Sequence, residues 1–319
     1  MSRLGRTGAA LAATIAMSGP AGLRAEPGPE EAEPLDRVPA IIGGQPTTGD
    51  PAVAALLAVD DDGQLFAICS GTLITPTILL TAAHCVDVPE AAGFVIYVGA
   101  DLTVEEDPSY QFVAAASRVA FHPQWNPDDI AAGYDIGIAE LAEPAPVAPR
   151  EVNLDPITSS QVGQPIRLVG WGVTAGGAED SGVKRAVVSQ LADFDDKLLL
   201  VGDSERSICN GDSGGPGFMT IGGREVLVGI ASFVDAGCSE IGVSTRVDVY
   251  RDFLADEAGV GDSPPAQPDA GPGGDDPDGD LPLRPTPADE GGCSAAGGAG
   301  SAPLVLAVLL LVVATRRKR

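Results

Sequence analysis

The sequence predicts an all-β fold for the central part of the chain, on the basis of three observations. Apolar and β-branched segments there are short, clusters of Gly, Pro and Asp separate them, and the pattern continues from Ile41 to about Gly259. Sequences of this kind form β-sandwiches or β-barrels. A chain of 319 residues is long enough for one such domain of roughly 200 to 250 residues, with appendages at its ends.

Eight segments of this region have the length and composition of β-strands. Between the first two, Asp60-Asp61-Asp62 precedes Gly63, which predicts a hairpin tip and not a metal site. Apolar residues at helical spacing in Asp248–Ala258 predict a short C-terminal helix. In chain order, the predicted strands are Ala54–Val59, Phe66–Ile74, Phe94–Val98, Gln111–Phe121, Ile166–Val169, Arg185–Leu191, Glu225–Phe233 and Gly242–Val247.

The charge balance excludes one class of partner. The chain has 45 acidic and 19 basic residues, which gives a net charge of −26. Proteins that bind DNA or RNA need a basic face to displace counterions, so nucleic acid is excluded as a partner. A solvated acidic surface accounts for the charge, and an acidic site for basic substrates is the alternative.

The cysteines indicate an oxidising compartment. Four of the five lie between residues 69 and 238, and Cys293 stands apart from them. An even set with one residue left over predicts two disulfides and a separate role for the fifth cysteine. Because disulfides persist outside the reducing cytosol, the pattern predicts export.

The N-terminal residues form targeting and processing segments. Residues 1–25 are predicted to be a signal peptide, with Arg3 and Arg6 before an Ala-rich apolar run and Ala25 at the cleavage point. A disordered Ala/Gly arm is the alternative. Residues 26–40 are acidic and carry several prolines, so they are predicted to form a propeptide, with a linker as the alternative.

The C-terminal residues predict a linker and a tail. Residues 261–292 are dense in Gly, Pro and Asp, which is typical of a disordered linker. In the tail, residues 293–319, an uncharged stretch long enough to cross a membrane as a helix precedes four basic residues. The tail resembles the C-terminal surface-sorting tails of myxobacterial proteins, in which Cys293 would be the processing or attachment point. An ordinary stop-transfer helix is the alternative. The tail predicts attachment to a membrane or the cell surface, and release after processing of the tail is a further alternative.

Three motifs contain the residue types of a nucleophilic site. They are Thr81-Ala82-Ala83-His84-Cys85, the run from Tyr134 to Leu141, and the run from Cys209 to Pro216. A serine hydroxyl is a poor nucleophile near neutral pH unless a base takes its proton, and histidine suits that task. A buried carboxylate must then orient the imidazole, and backbone N–H groups must stabilise the negative oxygen that develops on the substrate.

In this order the motifs TAAHC, DIGIAEL and GDSGGP resemble those of the trypsin/chymotrypsin family of serine endopeptidases. The resemblance implies two antiparallel six-stranded β-barrels with the active site in the cleft between them, and hydrolysis of protein or peptide substrates without cofactor or metal. It implies that His84 is the general base, that Asp135 orients it and that Ser213 is the nucleophile. The N–H groups of Gly211 and Ser213 would form the oxyanion hole.

The resemblance also implies activation by proteolysis. Ile41-Ile42-Gly43-Gly44 matches the mature N-terminus of the family, whose free α-ammonium pairs with the residue corresponding to Asp212. The predicted cut lies between Ala40 and Ile41. Because Ala40 stands where Arg or Lys is usual, the activating protease is expected to cut after a small residue.

Further matches concern disulfides and structural landmarks. The resemblance pairs Cys69 with Cys85, beside His84, and Cys209 with Cys238, beside the substrate pocket. Closing the first of these loops should contribute about 3 kcal/mol in the chain-entropy account. Gly170-Trp171-Gly172 and His122-Pro123 are additional landmarks of the family, and His122 is expected to be structural.

The expected specificity pocket lacks a charge. Ser207 falls at the pocket floor, where members that cleave after Arg or Lys have Asp, while Ile208 and Val234 narrow the pocket. Cleavage after small to medium aliphatic residues is therefore predicted, with a chymotrypsin-like preference as the alternative. The residues expected to bind substrate are Ser207, Ile208, Ser232, Phe233, Val234 and Gly242.

Two other functions and one other site remain open. The same scaffold could serve a non-catalytic secreted binding or regulatory protein, or the β-domain could be a structural surface protein. Glu105-Glu106-Asp107 lies in a loop that binds calcium in some members of the family. Three carboxylates are not enough to indicate a calcium site, so a solvated acidic loop is the preferred interpretation.

Overall fold

The computed structural model describes residues 41–235 and 237–261. The predicted signal peptide, propeptide, linker and C-terminal tail lie outside these residues. In this part of the chain, no helix combines the length and the hydropathy that a membrane span requires.

The first barrel is an antiparallel ring of six strands in the order β2-β3-β4-β7-β6-β5. Strand β2 is buried along its whole length, because its two faces meet different apolar groups. One face lines the barrel core, and the other packs with Tyr97 and Trp171. The first seven strands are β1 (Gln45–Pro46), β2 (Val53–Val59), β3 (Leu65–Leu73), β4 (Ile78–Thr81), β5 (Gly93–Val98), β6 (Phe112–Phe121) and β7 (Gly137–Leu141).

The second barrel closes in the order β8-β9-β10-β13-β12-β11, and the pairing of β8 with β11 completes the ring. Strand β1 adds to the outside of β9. The prediction of two six-stranded barrels is therefore confirmed. The remaining elements are β8 (Pro165–Gly170), β9 (Arg185–Phe194), β10 (Leu198–Val201), β11 (Pro216–Ile221), β12 (Arg224–Phe233), β13 (Gly242–Arg246) and the helix α1 (Arg251–Ala258).

All eight predicted strands are present, within a few residues of the predicted bounds, and the predicted hairpin closes with the Gly63 amide bonded to the Asp60 carbonyl. Five strands lie outside these eight segments: β1, β4, β7, β10 and β11. Strand β4 precedes the His84 motif and shares only Thr81 with it, β7 lies inside the Asp135 motif, and β11 begins at a proline after a Gly-rich run, which hides its strand character. Helix α1 begins at Arg251 and not at Asp248, because Tyr250 has non-helical backbone angles, φ −111° and ψ 34°. The Asp248 carboxylate accepts the Ile157 N–H and pairs with Arg246.

Charged residues connect the two barrels at one place away from the cleft. Asp50, just before β2, binds Arg167 of β8 through both carboxylate oxygens, at 2.6 and 2.9 Å. Lys184 is almost completely buried and donates its ammonium to the carbonyl oxygens of Asp50 and Val53. Burial lowers the pKa of Lys184 to about 8, against the raising effect of the Asp50 and Asp107 charges.

Candidate active site

Strand pairing brings His84 and Asp135 to the same end of the first barrel. His84 lies in a short 3-10 turn, Ala83–Cys85, three residues after β4, and Asp135 lies two residues before β7. Strands β4 and β7 are antiparallel and pair Thr81 with Gly137, so the end of one adjoins the start of the other. His84 Nδ1 is 2.8 Å from Asp135 Oδ2, and the His84 backbone N–H donates to Oδ1 over 3.0 Å.

This contact defines the proton distribution of the imidazole. A carboxylate only accepts hydrogen bonds, so Nδ1 carries a proton and the neutral ring keeps its lone pair on Nε2. The Asp135 side chain has no exposed surface, whereas that of His84 is 30% exposed. The imidazole can therefore exchange protons with a ligand in the cleft while its orientation is held from inside the protein.

Ser232 contributes a third donor to the same carboxylate. Its hydroxyl, on β12 of the second barrel, donates to Asp135 Oδ2. Sequence reasoning placed Ser232 only in the substrate-binding strand, and no sequence signal indicated this contact. A buried carboxylate without hydrogen-bond donors lowers the stability of a fold. The three donors therefore stabilise the Asp135 carboxylate in its position beside the His84 ring.

The loop that carries Ser213 packs against the His84 turn. The Ser213 carbonyl oxygen accepts the Ser70 N–H over 2.7 Å and lies 3.6 Å from the Sγ of Cys85. The next residue, Gly214, has φ +81°, and a Cβ there would lie 2.0 Å from Thr81 Oγ1, so only glycine fits this approach.

Between the described residues, the Ser213 hydroxyl makes no hydrogen bond to the His84 ring. The structure thus places the Ser213 loop beside the His84 turn without a hydrogen bond between the Ser213 hydroxyl and the imidazole. Hydrogen bonds of this type are often long or poorly aligned without substrate and tighten when it binds.

The backbone N–H groups of Gly211 and Ser213 are available to a ligand. Gly211 has φ +94°, a conformation that glycine adopts without strain. In residues 41–235 and 237–261, neither the Gly211 nor the Ser213 N–H donates a hydrogen bond to the protein. Free N–H groups in a fixed loop are the donor type that stabilises an oxyanion.

Ile41 and Asp212 are both buried in the second barrel. Ile41 has no exposed surface and packs in the core with residues such as Ile166 and Ile208. The carboxylate of Asp212 accepts the N–H groups of Gly172 and Cys209, each over 2.8 Å. Burial raises the pKa of Asp212 to about 7, against the lowering effect of these two donors and of the Arg185 charge.

Both expected disulfides are present. Cys69 of β3 bonds to Cys85 and braces the His84 turn, and Cys209 bonds to Cys238 and packs with Val234. Within the described residues, Cys69, His84 and Cys85 are the group whose ligand atoms lie close enough for a metal ion. Because the two sulfurs are bonded to each other, this group offers no thiolate ligand.

Four of the predicted substrate-binding residues lie close together: Ser207, Ile208, Val234 and Gly242. Ser207 is fully buried, and its hydroxyl accepts the Gly242 N–H over 3.0 Å. A Cβ at Gly242 would lie only 2.5 Å from Ile208 Cγ1, so Ile208 fills the space beside this glycine. Val234 packs against the apolar cluster that contains Ile208. Phe233, the last residue of β12, pairs with Val243 of β13.

The acidic loop considered for calcium is organised by its own protein groups. Asp107 Oδ2 accepts the Tyr97 hydroxyl and the N–H groups of Ala100 and Asp101, and Oδ1 accepts Ser109. Glu105 and Glu106 are exposed. Asp107 therefore acts as an internal acceptor that shapes the loop.

Comparison with known proteins supports one family. The family described as Trypsin matches residues 41–254. Chymotrypsin-like elastase family member 1 of Canis lupus familiaris is 30% identical over 218 residues, which cover 60% of this chain and 81% of the relative. Trypsin of Saccharopolyspora erythraea is 28% identical over 237 residues, which cover 69% of this chain and 99% of the relative. Proproteinase E of Bos taurus is 28% identical over 221 residues, which cover 62% of this chain and 86% of the relative.

Proposed function

Because the chain belongs to the trypsin/chymotrypsin family of serine endopeptidases, we propose that it hydrolyses peptide bonds through an acyl-enzyme formed on Ser213. The Ser213 oxygen attacks the substrate carbonyl carbon, and His84 Nε2 takes the hydroxyl proton. Asp135 holds the imidazole in the required tautomer and stabilises its charged form. The N–H groups of Gly211 and Ser213 bind the oxyanion.

The cycle ends by the reverse proton path. The tetrahedral adduct collapses, the C–N bond breaks, and His84 returns its proton to the leaving amine. A water molecule then attacks the acyl-enzyme while His84 accepts a water proton, and the hydroxyl of Ser213 is restored with release of a carboxylic acid. No cofactor or metal takes part in these steps.

We propose cleavage after small to medium aliphatic residues. Ile208 beside Gly242 and the neighbouring Val234 make a narrow apolar pocket, and Ser207 supplies no charge for Arg or Lys. The relatives named as elastases support the same preference. Because one methylene contributes only about 1–3 kcal/mol to discrimination, the preference should be loose.

We also propose that the protein is exported as a zymogen. Cleavage between Ala40 and Ile41 would release an α-ammonium that pairs with Asp212, whose burial favours a cationic partner. Because Ala40 precedes the proposed cut, the activating protease would be one that cleaves after small residues. Residues 1–25 and the cysteine pattern support export, and residues 293–319 support attachment to a membrane or cell surface.

The observation that supports peptidase chemistry best is the buried Asp135 carboxylate bonded to His84 Nδ1 beside the Ser213 loop. The test is covalent labelling of the chain cut before Ile41 with a fluorophosphonate, followed by mass spectrometry of the labelled peptide. We expect one adduct, on Ser213, and none in the Ser213→Ala and His84→Ala variants. Absence of labelling in the cut wild-type chain would favour a non-catalytic binding or regulatory protein.

The same cut protein tests specificity. A peptide library in which the residue before the scissile bond is varied should be cleaved after Ala, Val and Leu and left intact after Arg and Lys. Cleavage mainly after Phe and Tyr would replace the elastase-like proposal by the chymotrypsin-like one.

A further inference from the structure

One buried side chain contacts the nucleophile loop from the opposite barrel. Ser70 lies on β3, directly after Cys69, and has no exposed surface. Its backbone N–H donates to the Ser213 carbonyl oxygen over 2.7 Å, and its hydroxyl donates to the Gly211 carbonyl oxygen over 3.0 Å. Ser70 therefore binds the carbonyl groups of both residues whose N–H groups are proposed to receive the oxyanion.

These contacts act on the peptide units that follow each N–H donor. A peptide unit is planar, so these bonds fix the units 211–212 and 213–214, each of which is joined through one Cα to the unit that contains the Gly211 or Ser213 N–H. At Gly211, with φ +94°, no side chain restricts the backbone, and glycine has more conformational freedom than any other residue. By holding the Gly211 carbonyl, the hydroxyl of Ser70 limits the backbone rotation that glycine otherwise allows.

The same hydroxyl connects the loop to the segment that binds Asp212. It accepts the Trp171 N–H over 3.0 Å, and the next residue, Gly172, donates its N–H to Asp212 Oδ1. Ser70 is itself held by Thr81, whose hydroxyl donates to the Ser70 carbonyl oxygen over 2.8 Å. Because these groups are buried, water does not compete for the bonds.

We propose that Ser70 is a positioning residue for the oxyanion hole, an inference that rests on the peptidase function proposed above. Its hydroxyl holds the Gly211 peptide and the Trp171 segment together, so that the Gly211 and Ser213 N–H groups address the same substrate oxygen. Ser70 contacts neither the substrate nor the reacting atoms. Because preorganised donors stabilise the transition state more than the bound substrate, its loss should affect kcat more than KM.

The test compares Ser70→Ala with wild type, both cut before Ile41, on a peptide with an aliphatic residue before the scissile bond. Removing one oxyanion donor costs about 10²–10³ in kcat, so loss of a residue that only orients the donors should cost about 10-fold, with KM within about 3-fold. A peptide aldehyde, whose adduct carries an oxyanion, should lose affinity about 10-fold. The corresponding peptide alcohol, which forms no oxyanion, should bind the variant and wild type equally.

Two further variants control for burial. Ser244→Ala removes another buried serine hydroxyl, one without a hydrogen-bond partner in the described residues, and should keep wild-type kcat. Ser70→Thr retains the hydroxyl and should recover most of the kcat that Ser70→Ala loses. If Ser70→Ala yields no folded protein, Ser70→Gly takes its place in the comparison, because it also removes the hydroxyl.

Two results would overturn the inference. One is wild-type kcat in Ser70→Ala, and the other is an equal loss of affinity for the aldehyde and the alcohol, which indicates a general defect of the cleft. Failure of the proposed function is distinguishable, because in that case the cut wild-type chain itself neither hydrolyses the peptide nor reacts with fluorophosphonate.

Discussion

Ser232 and His84 bind the same oxygen of the Asp135 carboxylate, although they come from opposite barrels. His84 Nδ1 lies 2.8 Å from Oδ2, and the Ser232 hydroxyl donates to that oxygen from β12. The orientation of the proposed base therefore depends on contact between the barrels as well as on the fold of the first barrel.

The first prediction concerns this shared oxygen. Ser232→Ala should lower kcat by about 10-fold and leave KM within about 3-fold, because the carboxylate loses a donor that fixes it while the backbone of the substrate strand is kept. Asp135→Asn should lower kcat by about 10⁴-fold, because the amide favours the wrong tautomer of the imidazole. Steady-state kinetics on one aliphatic peptide measure both effects. Unchanged kcat in Ser232→Ala, with Ser244→Ala as the matched control, would contradict the role of the hydroxyl.

The second prediction concerns the stability of the uncut chain. The pKa of Asp212 is about 7 in the fold and about 3.9 in an unfolded chain, so between these values the folded state binds more protons. The free energy of unfolding should therefore fall as the pH rises from about 4 to 7. Denaturant unfolding at a series of pH values measures this slope, and Asp212→Asn should remove its contribution.

Cutting before Ile41 should also remove that contribution, because an α-ammonium partner favours the charged carboxylate and lowers its pKa. The cut and uncut chains should then differ in their pH profiles and not only in their stability at one pH. Identical profiles for the two chains would argue against pairing of Ile41 with Asp212.

The third prediction concerns the pocket. The double variant Ile208→Ala, Val234→Gly removes the two side chains that narrow it and should raise kcat/KM for Phe relative to Val before the scissile bond by about 10- to 100-fold. Gly242→Ala should act in the opposite direction, because its Cβ would meet Ile208 Cγ1 at 2.5 Å. Competition between paired peptides measures the ratios, and an unchanged Phe/Val ratio in the double variant would mean that these residues do not line the site.

The fourth prediction concerns Lys184. Its pKa is about 8 in the fold and about 10.4 in an unfolded chain, so between these values the unfolded state binds more protons. The free energy of unfolding should rise with pH from about 8 to 10, and Lys184→Met should abolish this rise. At pH 7 the Met variant should be at least as stable as wild type, because a buried charge is replaced by an apolar chain of similar volume. A large loss of stability at pH 7 would show that the two carbonyl contacts outweigh desolvation.

Strand content was predictable where the sequence alternates or clusters apolar residues between turns, as in β9 and β12. Strand β11 was not predictable, because Pro216 and the glycines before it are turn signals, and only pairing with β8 and β12 makes the segment a strand. Local sequence also indicated a helix start at Asp248, whereas Tyr250 has non-helical backbone angles and the helix begins at the next residue.

In the candidate site, too, the residues in local motifs were predictable and the long-range contacts were not. His84, Asp135 and Ser213 lie in motifs whose residue order is visible in the sequence, and the structure brings His84 and Asp135 into direct contact. The contacts of Ser232 and Ser70 join residues 97 and 141 positions apart, so no local pattern could indicate them. A serine on a strand gives no sequence signal of which carboxylate or carbonyl it will meet across a cleft.

The burial of Ile41 affects how long an activated molecule would survive among other peptidases. Aminopeptidases trim a chain by drawing its extended first residues into their own active sites. In the uncut chain the Ile41 side chain lies in the core of the second barrel with no exposed surface, and after the proposed cut it would become the first side chain of the protein. Aminopeptidases could then reach Ile41 only after that barrel opens. The proposed activating cut would therefore also protect the new N-terminus from proteolysis.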